Sequence, residues 1–356
     1  VVPVDRIARA RFQVIKVNRW SVALALLALL TLLVIPIGKY LPVGTFSSAT
    51  VGQGVMLIGR DFSGKSQTDA RAMLEEMAGR YKAPAEMARE SRDANGISYV
   101  VPERNGYSLD VPTTLFRLTS ATPGTTVEPA LKEVPPTRKA ADYPMSVIRQ
   151  GNSGKKAVAL LVNVDWGTME LAKMLPVLKK HGAKVTFFVS GRWADANKEL
   201  LKMMAGDGHE IATHGYDLSA GPKALAKNGT LKLDIDRSVQ SIQAITGLPV
   251  KFYAPHMSEI SPVILQTAAD LKLRTVLYSL DTVDWQDATS GPMILSTLGK
   301  AMPGDLVLLH PKPNTVKVLD QALLELQKKG LRPVTLSELL NPGPDAPTAA
   351  LADPRE

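Results

Sequence analysis

Hydrophobic and polar positions alternate along this chain in three regimes. From Ser21 to Ile37 no charge interrupts the apolar residues, and Trp20 and Lys39-Tyr40 flank the run. That length approaches the 17 to 25 residues needed to cross a bilayer, so residues 21–40 are expected to form one transmembrane anchor. Small residues at Ser47-Ser48-Ala49 keep a cleaved signal peptide open as the rival reading. Between 51 and 134 the apolar runs are short. The pattern predicts strands at 55–58, 97–101, 107–111 and 127–134 and a helix over 67–79, which together make a small α+β unit.

From 158 to 335 apolar runs bounded by turn residues alternate with helical periodicity. Strands are expected at 158–164, 184–189, 210–214, 251–254, 275–280, 305–310 and 332–335. Helices are expected at 170–180, 197–206, 234–246, 262–271, 293–302 and 316–329. Uninterrupted β-branched and apolar strands between helices suit a parallel sheet covered on both faces. Right-handed connections leave two architectures, an open doubly wound sheet or a (β/α) barrel. Residues 135–157, with Pro135-Pro136, Pro144, Gly151 and Gly154, break all periodicity and read as a linker. Residues 341–356, rich in Pro, Ala and charge, read as a disordered tail.

Charge sharpens the topology. The net charge is +8, and Arg6, Arg9, Arg11, Lys16 and Arg19 against Asp5 supply half of it within residues 1–20. A basic segment ahead of an apolar run places the N-terminus in the cytoplasm and the main domain outside the membrane. The remaining excess is too dilute to imply a nucleic-acid partner. Cysteine is absent, which excludes disulfides and thiolate ligands, so any metal must use His and carboxylate.

Two stretches carry candidate chemistry. Gly59 to Ser66 matches the phosphate-binding loop pattern Gly-x-x-x-x-Gly-Lys-Ser, which would make a nucleotide binder. A unit this small lacks the parallel core such a loop requires. The bland alternative is a strand-turn-helix corner capped by Ser66, with Asp69 three residues on. The unit also resembles small wall-associated modules of Gram-positive surface proteins, and a spacer is an equal reading.

The second stretch is the strand-end set. Asp165 ends the first strand, His214 the third and His310 the sixth; His256 follows the fourth, and Asp281 and Asp284 follow the fifth. In either architecture these carboxyl ends form one rim, where active sites lie. Three of the five histidines fall there, while His181 and His209 sit at element boundaries beside Gly and read as structural. An imidazole oriented by Asp284 makes His310 a general acid, and Asp165 is the candidate base.

The order Asn163-Val164-Asp165-Trp166-Gly167, Gly208-His209-Glu210-Ile211-Ala212-Thr213-His214, Phe252-Tyr253-Ala254-Pro255, Asp281-Thr282-Val283-Asp284-Trp285 and Leu308-Leu309-His310 resembles the polysaccharide deacetylases of NodB homology. Residues 147–340 match that domain, and details such as Leu309-His310-Pro311 look most like its membrane-anchored, sporulation-associated branch. The resemblance implies a distorted (β/α) barrel that removes acetyl groups from chitin, peptidoglycan or related glycans by hydrolysing the acetamide C–N bond. It implies catalytic roles for Asp165, His310 and Asp284, and a substrate groove lined by Trp166, Tyr253, Trp285 and His256.

The family's metal, zinc or another divalent ion, is held by a second Asp of the first motif and two His of the second. Here only His214 stands at those positions, with Trp166 and Leu218 at the others, and Tyr253 replaces an Arg that orients the base. Three outcomes follow: a glycan-binding pseudoenzyme without metal, an active deacetylase whose metal site is rebuilt from His214 with Asp165, Asp217 or His256, or the nucleotide binder at 59–66. Cell-wall polysaccharide and the membrane are the expected partners.

Overall fold

The computed structural model describes residues 50–343. The basic segment, the apolar run at 21–40 and most of the C-terminal tail lie outside those residues. Among the described residues no helix is long and apolar enough to cross a membrane.

The small unit opens with a hairpin, β1 (Met56–Leu57) and β2 (Arg60–Asp61), turned by Ile58 and Gly59, both at positive φ. Helix α1 (Gln67–Arg80) follows, its first turn capped by Ser66 Oγ, which accepts from Asp69 N–H at 3.1 Å. The chain continues through β3 (Lys82–Ala83), β4 (Arg89–Arg92), β5 (Ser98–Val101), β6 (Gly106–Leu109), α2 (Val111–Thr119), β7 (Thr126–Val127) and β8 (Leu131–Val134). Leu57, Phe62, Leu74 and Met77 pack against Leu115 and Leu118 as its core. The expected strand over 127–134 divides at Pro129, and its halves join different sheets.

The hairpin removes the phosphate-loop reading. Strand β1 does not run through the loop into a helix but reverses into an antiparallel partner. The amides that would cradle a phosphate are already donated: Phe62 to Val55 O, Gly64 to Val51 O, Lys65 to Phe62 O and Ser63 to Asp61 Oδ1. Ser66 is spent on its cap.

Residues 135–157, expected to be a linker, are held to both neighbours. Strand β9 (Val147–Ile148) pairs in parallel with β5, and Ile148 bridges to Val276 on its other side. Val147 and Ile148 are buried, so the segment joins the two units through backbone hydrogen bonds.

The larger unit runs β10 (Ala157–Val164), α3 (Thr168–Lys180), β11 (Thr186–Val189), α4 (Gly191–Ala196), α5 (Lys198–Gly206), β12 (Glu210–Thr213), α6 (Pro222–Lys227), α7 (Leu231–Thr246), β13 (Phe252–Tyr253), α8 (Pro262–Asp270), β14 (Arg274–Thr275), β15 (Leu280–Asp281), α9 (Gly291–Leu298), β16 (Leu306–Leu309), α10 (Pro313–Lys328), β17 (Arg332–Val334) and α11 (Leu336–Leu340). Every strand pairing in this sheet is parallel, in the order β14-β13-β12-β11-β10-β16-β15, with β17 beside the first half of β10.

The expected strand over 275–280 is two strands at opposite ends of that order. Residues 276–279 connect them, with Val276 N–H bonded to Tyr253 O and Ser279 N–H to Leu306 O. The chain itself therefore closes what the sheet's hydrogen bonds leave open. The result is a curled parallel half-barrel. Val158, Leu160, Val162 and Val164 face the helices, and Ala157, Ala159 and Leu161 face the interior. That two-residue alternation carries Asn163 and Asp165 to the inside at the rim.

Candidate functional site

The carboxyl ends of the strands surround a cavity of about 490 Å³, and Asp165, Trp166, His214, His256, Asp281, Trp285 and His310 all line it. Leu218, Asn163 and Tyr278 complete the wall around them.

Its strongest polar pair is Asp284 with His310. The Asp284 side chain is 0% exposed, and its two oxygens accept from His310 Nδ1 (2.8 Å), His310 N–H (2.7 Å) and Thr315 Oγ1 (2.6 Å). A buried carboxyl group left without such donors would carry the full cost of its lost hydration. The arrangement fixes the ring, and it leaves Nε2 as the nitrogen that can act on a ligand.

Asp165 is held by residues that the sequence did not single out. Ser190 Oγ donates to its Oδ1 at 2.5 Å, and the Arg192 guanidinium lies 3.8 Å from Oδ2. Ser190 also caps α4, so the helix start and the carboxylate are positioned by one hydroxyl. A polar pair directly after an apolar strand was the available signal, but its partner lies at the end of the neighbouring strand, β10, whose pairing with β11 is not written in the local sequence.

Trp166 lies flat against His310, with ring centroids 5.9 Å apart and 7° between planes. Lys312 Nζ lies over the indole at 4.9 Å and pairs with Asp287 at 2.8 Å. The approach depends on Gly167, whose φ is +77° and whose missing Cβ would stand 2.5 Å from Pro311 O. Only glycine admits both that conformation and that contact.

His214 is buried. Its Nδ1 bonds Ala254 O at 2.6 Å, which makes Nδ1 the donor and turns Nε2 into an acceptor. Burial depresses its pKa to about 3, against the pull of that carbonyl. The neutral imidazole with Nδ1–H on a carbonyl is the form a metal-binding histidine takes. His256 packs edge-on against it at 5.5 Å, and burial lowers its pKa also.

The other metal ligands do not assemble. Among the described residues no group of three or more His, Asp or Glu side chains is placed to hold an ion. Asp217, a candidate substitute, turns to Arg192 at 3.4 Å and does not line the cavity. The hydrogen bond from Ser219 N–H, followed by Arg192, holds its carboxyl below the usual range. A hydrolytic zinc site needs about three protein ligands with one position open, so this donor set does not fit the family's ion.

Tyr253 also departs from expectation. It is 1% exposed and packs in the layer between sheet and helices, while its neighbour Phe252 faces the interior. The strand's alternation puts position 253 outside the cavity, so Tyr253 contributes no ring to a ligand. Trp285, 48% exposed on the cavity wall, does.

The model of the polysaccharide deacetylase family matches residues 150–276. The chain is 31% identical over 195 residues to a peptidoglycan-N-acetylglucosamine deacetylase of Bacillus cereus, covering 53% of this chain and 70% of that protein. This chain belongs to the polysaccharide deacetylase family. It is also 34% identical over 194 residues to the uncharacterized protein YlxY of Bacillus subtilis, covering 54% of this chain and 60% of that one. Among solved structures it resembles a wild-type CE4 family pseudoenzyme from Bacillus anthracis, with a TM-score of 0.64 and 25% identity over 77% of this chain and 95% of that one. That coverage exceeds what residues 147–340 alone supply, so the likeness takes in part of the small unit.

Proposed function

We propose that this polysaccharide deacetylase family member binds cell-wall glycan, peptidoglycan or a chitin-like polymer, without metal-dependent hydrolysis. The observation that carries the reading is the stack of Trp166 on His310, where the family places a metal-binding carboxylate. Leu218 lines the same cavity at the position of the family's second histidine. The Bacillus anthracis neighbour is called a pseudoenzyme, and the Bacillus cereus relative is named for action on peptidoglycan N-acetylglucosamine. Trp166 and Trp285, both about half exposed, offer the flat apolar faces on which sugar rings stack. The uncharged apolar run from Ser21 to Ile37 behind five cations supports anchoring by one span, with the main domain outside the membrane; a link to sporulation belongs to the same proposal.

The test is a paired assay on the full chain: acetate release from acetylated peptidoglycan, and co-sedimentation with purified cell wall. Binding without acetate supports the proposal. Acetate release that Asp165→Asn abolishes supports the second reading, an active enzyme with a rebuilt site, which the intact Asp284–His310 pair and the held Asp165 favour.

A further inference from the structure

The full charges on the cavity wall are of one sign. Its two charged side chains, Asp165 and Asp281, are both anionic, and neither a lysine nor an arginine lines it. Asp165 is partly neutralised from outside by Arg192 at 3.8 Å. Asp281 accepts from Val283 N–H at 2.8 Å through Oδ1, and no cation stands within ion-pair distance of it among the described residues.

Two further acceptors point the same way. His214 is 6% exposed and lines the cavity; its Nδ1 is spent on Ala254 O, which leaves Nε2 as its acceptor. Asn163 Oδ1 is buried on the same wall without a hydrogen bond. On a cavity wall, acceptors of this kind are open to the donors of a ligand.

A divalent ion would answer such a wall, but too few ligands converge to hold one. A primary ammonium asks for less. It carries one positive charge and three donors, needs no fixed polyhedron, and forms strong charge-assisted bonds to carboxylates. An N-acetyl group, in contrast, brings one N–H and a carbonyl acceptor that finds no lining cation.

Resting on the glycan-binding reading above, we propose that the cavity recognises a glycan bearing free amino groups, a 2-amino-2-deoxy sugar, through Asp281 and Asp165. The ligand class is then the product that an active deacetylase leaves on the wall. Trp285 and Trp166 supply the stacking surface, and the two carboxylates distinguish the amine from its acetylated form.

Calorimetric titration of the full chain with glucosamine hexamer and with N-acetylglucosamine hexamer, at equal ionic strength, tests this. The chain's net charge of +8 opposes non-specific attraction of a polycation, so tight binding of the amine cannot come from bulk charge. The amine is expected to bind at least about tenfold more tightly. Asp281→Asn, which keeps the Oδ1 acceptor for Val283, should remove that preference, whereas Trp285→Ala should weaken both ligands alike. Equal or tighter binding of the acetylated hexamer overturns the amine assignment and leaves glycan binding standing. Binding of neither hexamer overturns both.

Discussion

The indole of Trp166 and the imidazole of His310 lie parallel with centroids 5.9 Å apart on one cavity wall. Trp166 thus sets an aromatic face, not a carboxylate, beside His310. Leu218 and His214 share the cavity with Trp166. Trp166→Asp together with Leu218→His should therefore give a chain that binds zinc stoichiometrically, because three candidate ligands then line one cavity with His214 among them. Either change alone should fail, and zinc titration followed by calorimetry decides it. Zinc binding by the unaltered chain at the same strength would contradict the account.

Asp284 is the buried charge on which the rim depends. Asp284→Asn should cost about 3 kcal/mol, since the amide meets three donors that all need an acceptor. Urea denaturation measures it. Glu199→Gln, which breaks only the exposed pair with Lys202, should leave the midpoint where it was.

Acid should weaken the fold through His209. Burial holds its pKa at about 4, and its Nδ1 accepts from Val185 N–H at 3.3 Å, which a protonated ring cannot do. Below about 6.5 the unfolded chain takes a proton that the native His209 refuses, so stability falls as pH drops from 6.5 toward 4. His214, with its pKa at about 3, adds to the same slope and extends it lower. Urea denaturation at pH 7 and pH 5 should show the loss, and His209→Gln, which keeps an acceptor, should reduce the difference.

Gly167→Ala should destabilise by about 1–3 kcal/mol, since the new methyl meets Pro311 O at a backbone angle alanine resists. The same change should increase Trp166 fluorescence anisotropy decay, because the stack on His310 is held by that close approach. Unchanged thermal midpoint and decay would show that the turn relaxes freely.

Much of this site was legible because strand ends are legible. The run ending at Val164 is uninterrupted, so the position of Asp165 followed from length and pattern, and the Asp284–His310 pair followed from two strand ends on one rim. Tyr253 was misplaced because Phe252 to Pro255 contains no polar residue to reveal which face is inside; the observed alternation puts 253 against the helices. The strand expected over 275–280 divides because residues 276–279 answer two different partners, Tyr253 O and Leu306 O, and long-range pairing leaves no local pattern. Residues 135–157 looked like a tether for the same reason: Val147 and Ile148 gain their partners from Tyr99, Val100 and Val276, far off in sequence. Ser190 and Arg192 reach Asp165 from the end of the adjacent strand, and spacing alone does not announce which strands are neighbours.

The proposed function requires that the cavity, with Trp166 and Leu218 on its wall, holds no stoichiometric ion. Elemental analysis of the purified full chain, after dialysis against zinc and again after a chelator, tests it most directly. No stoichiometric zinc in either sample, and no acetate from acetylated glycan in the first, is the expected result. One chelator-removable zinc per chain, with acetate release that returns when zinc is restored, would contradict it.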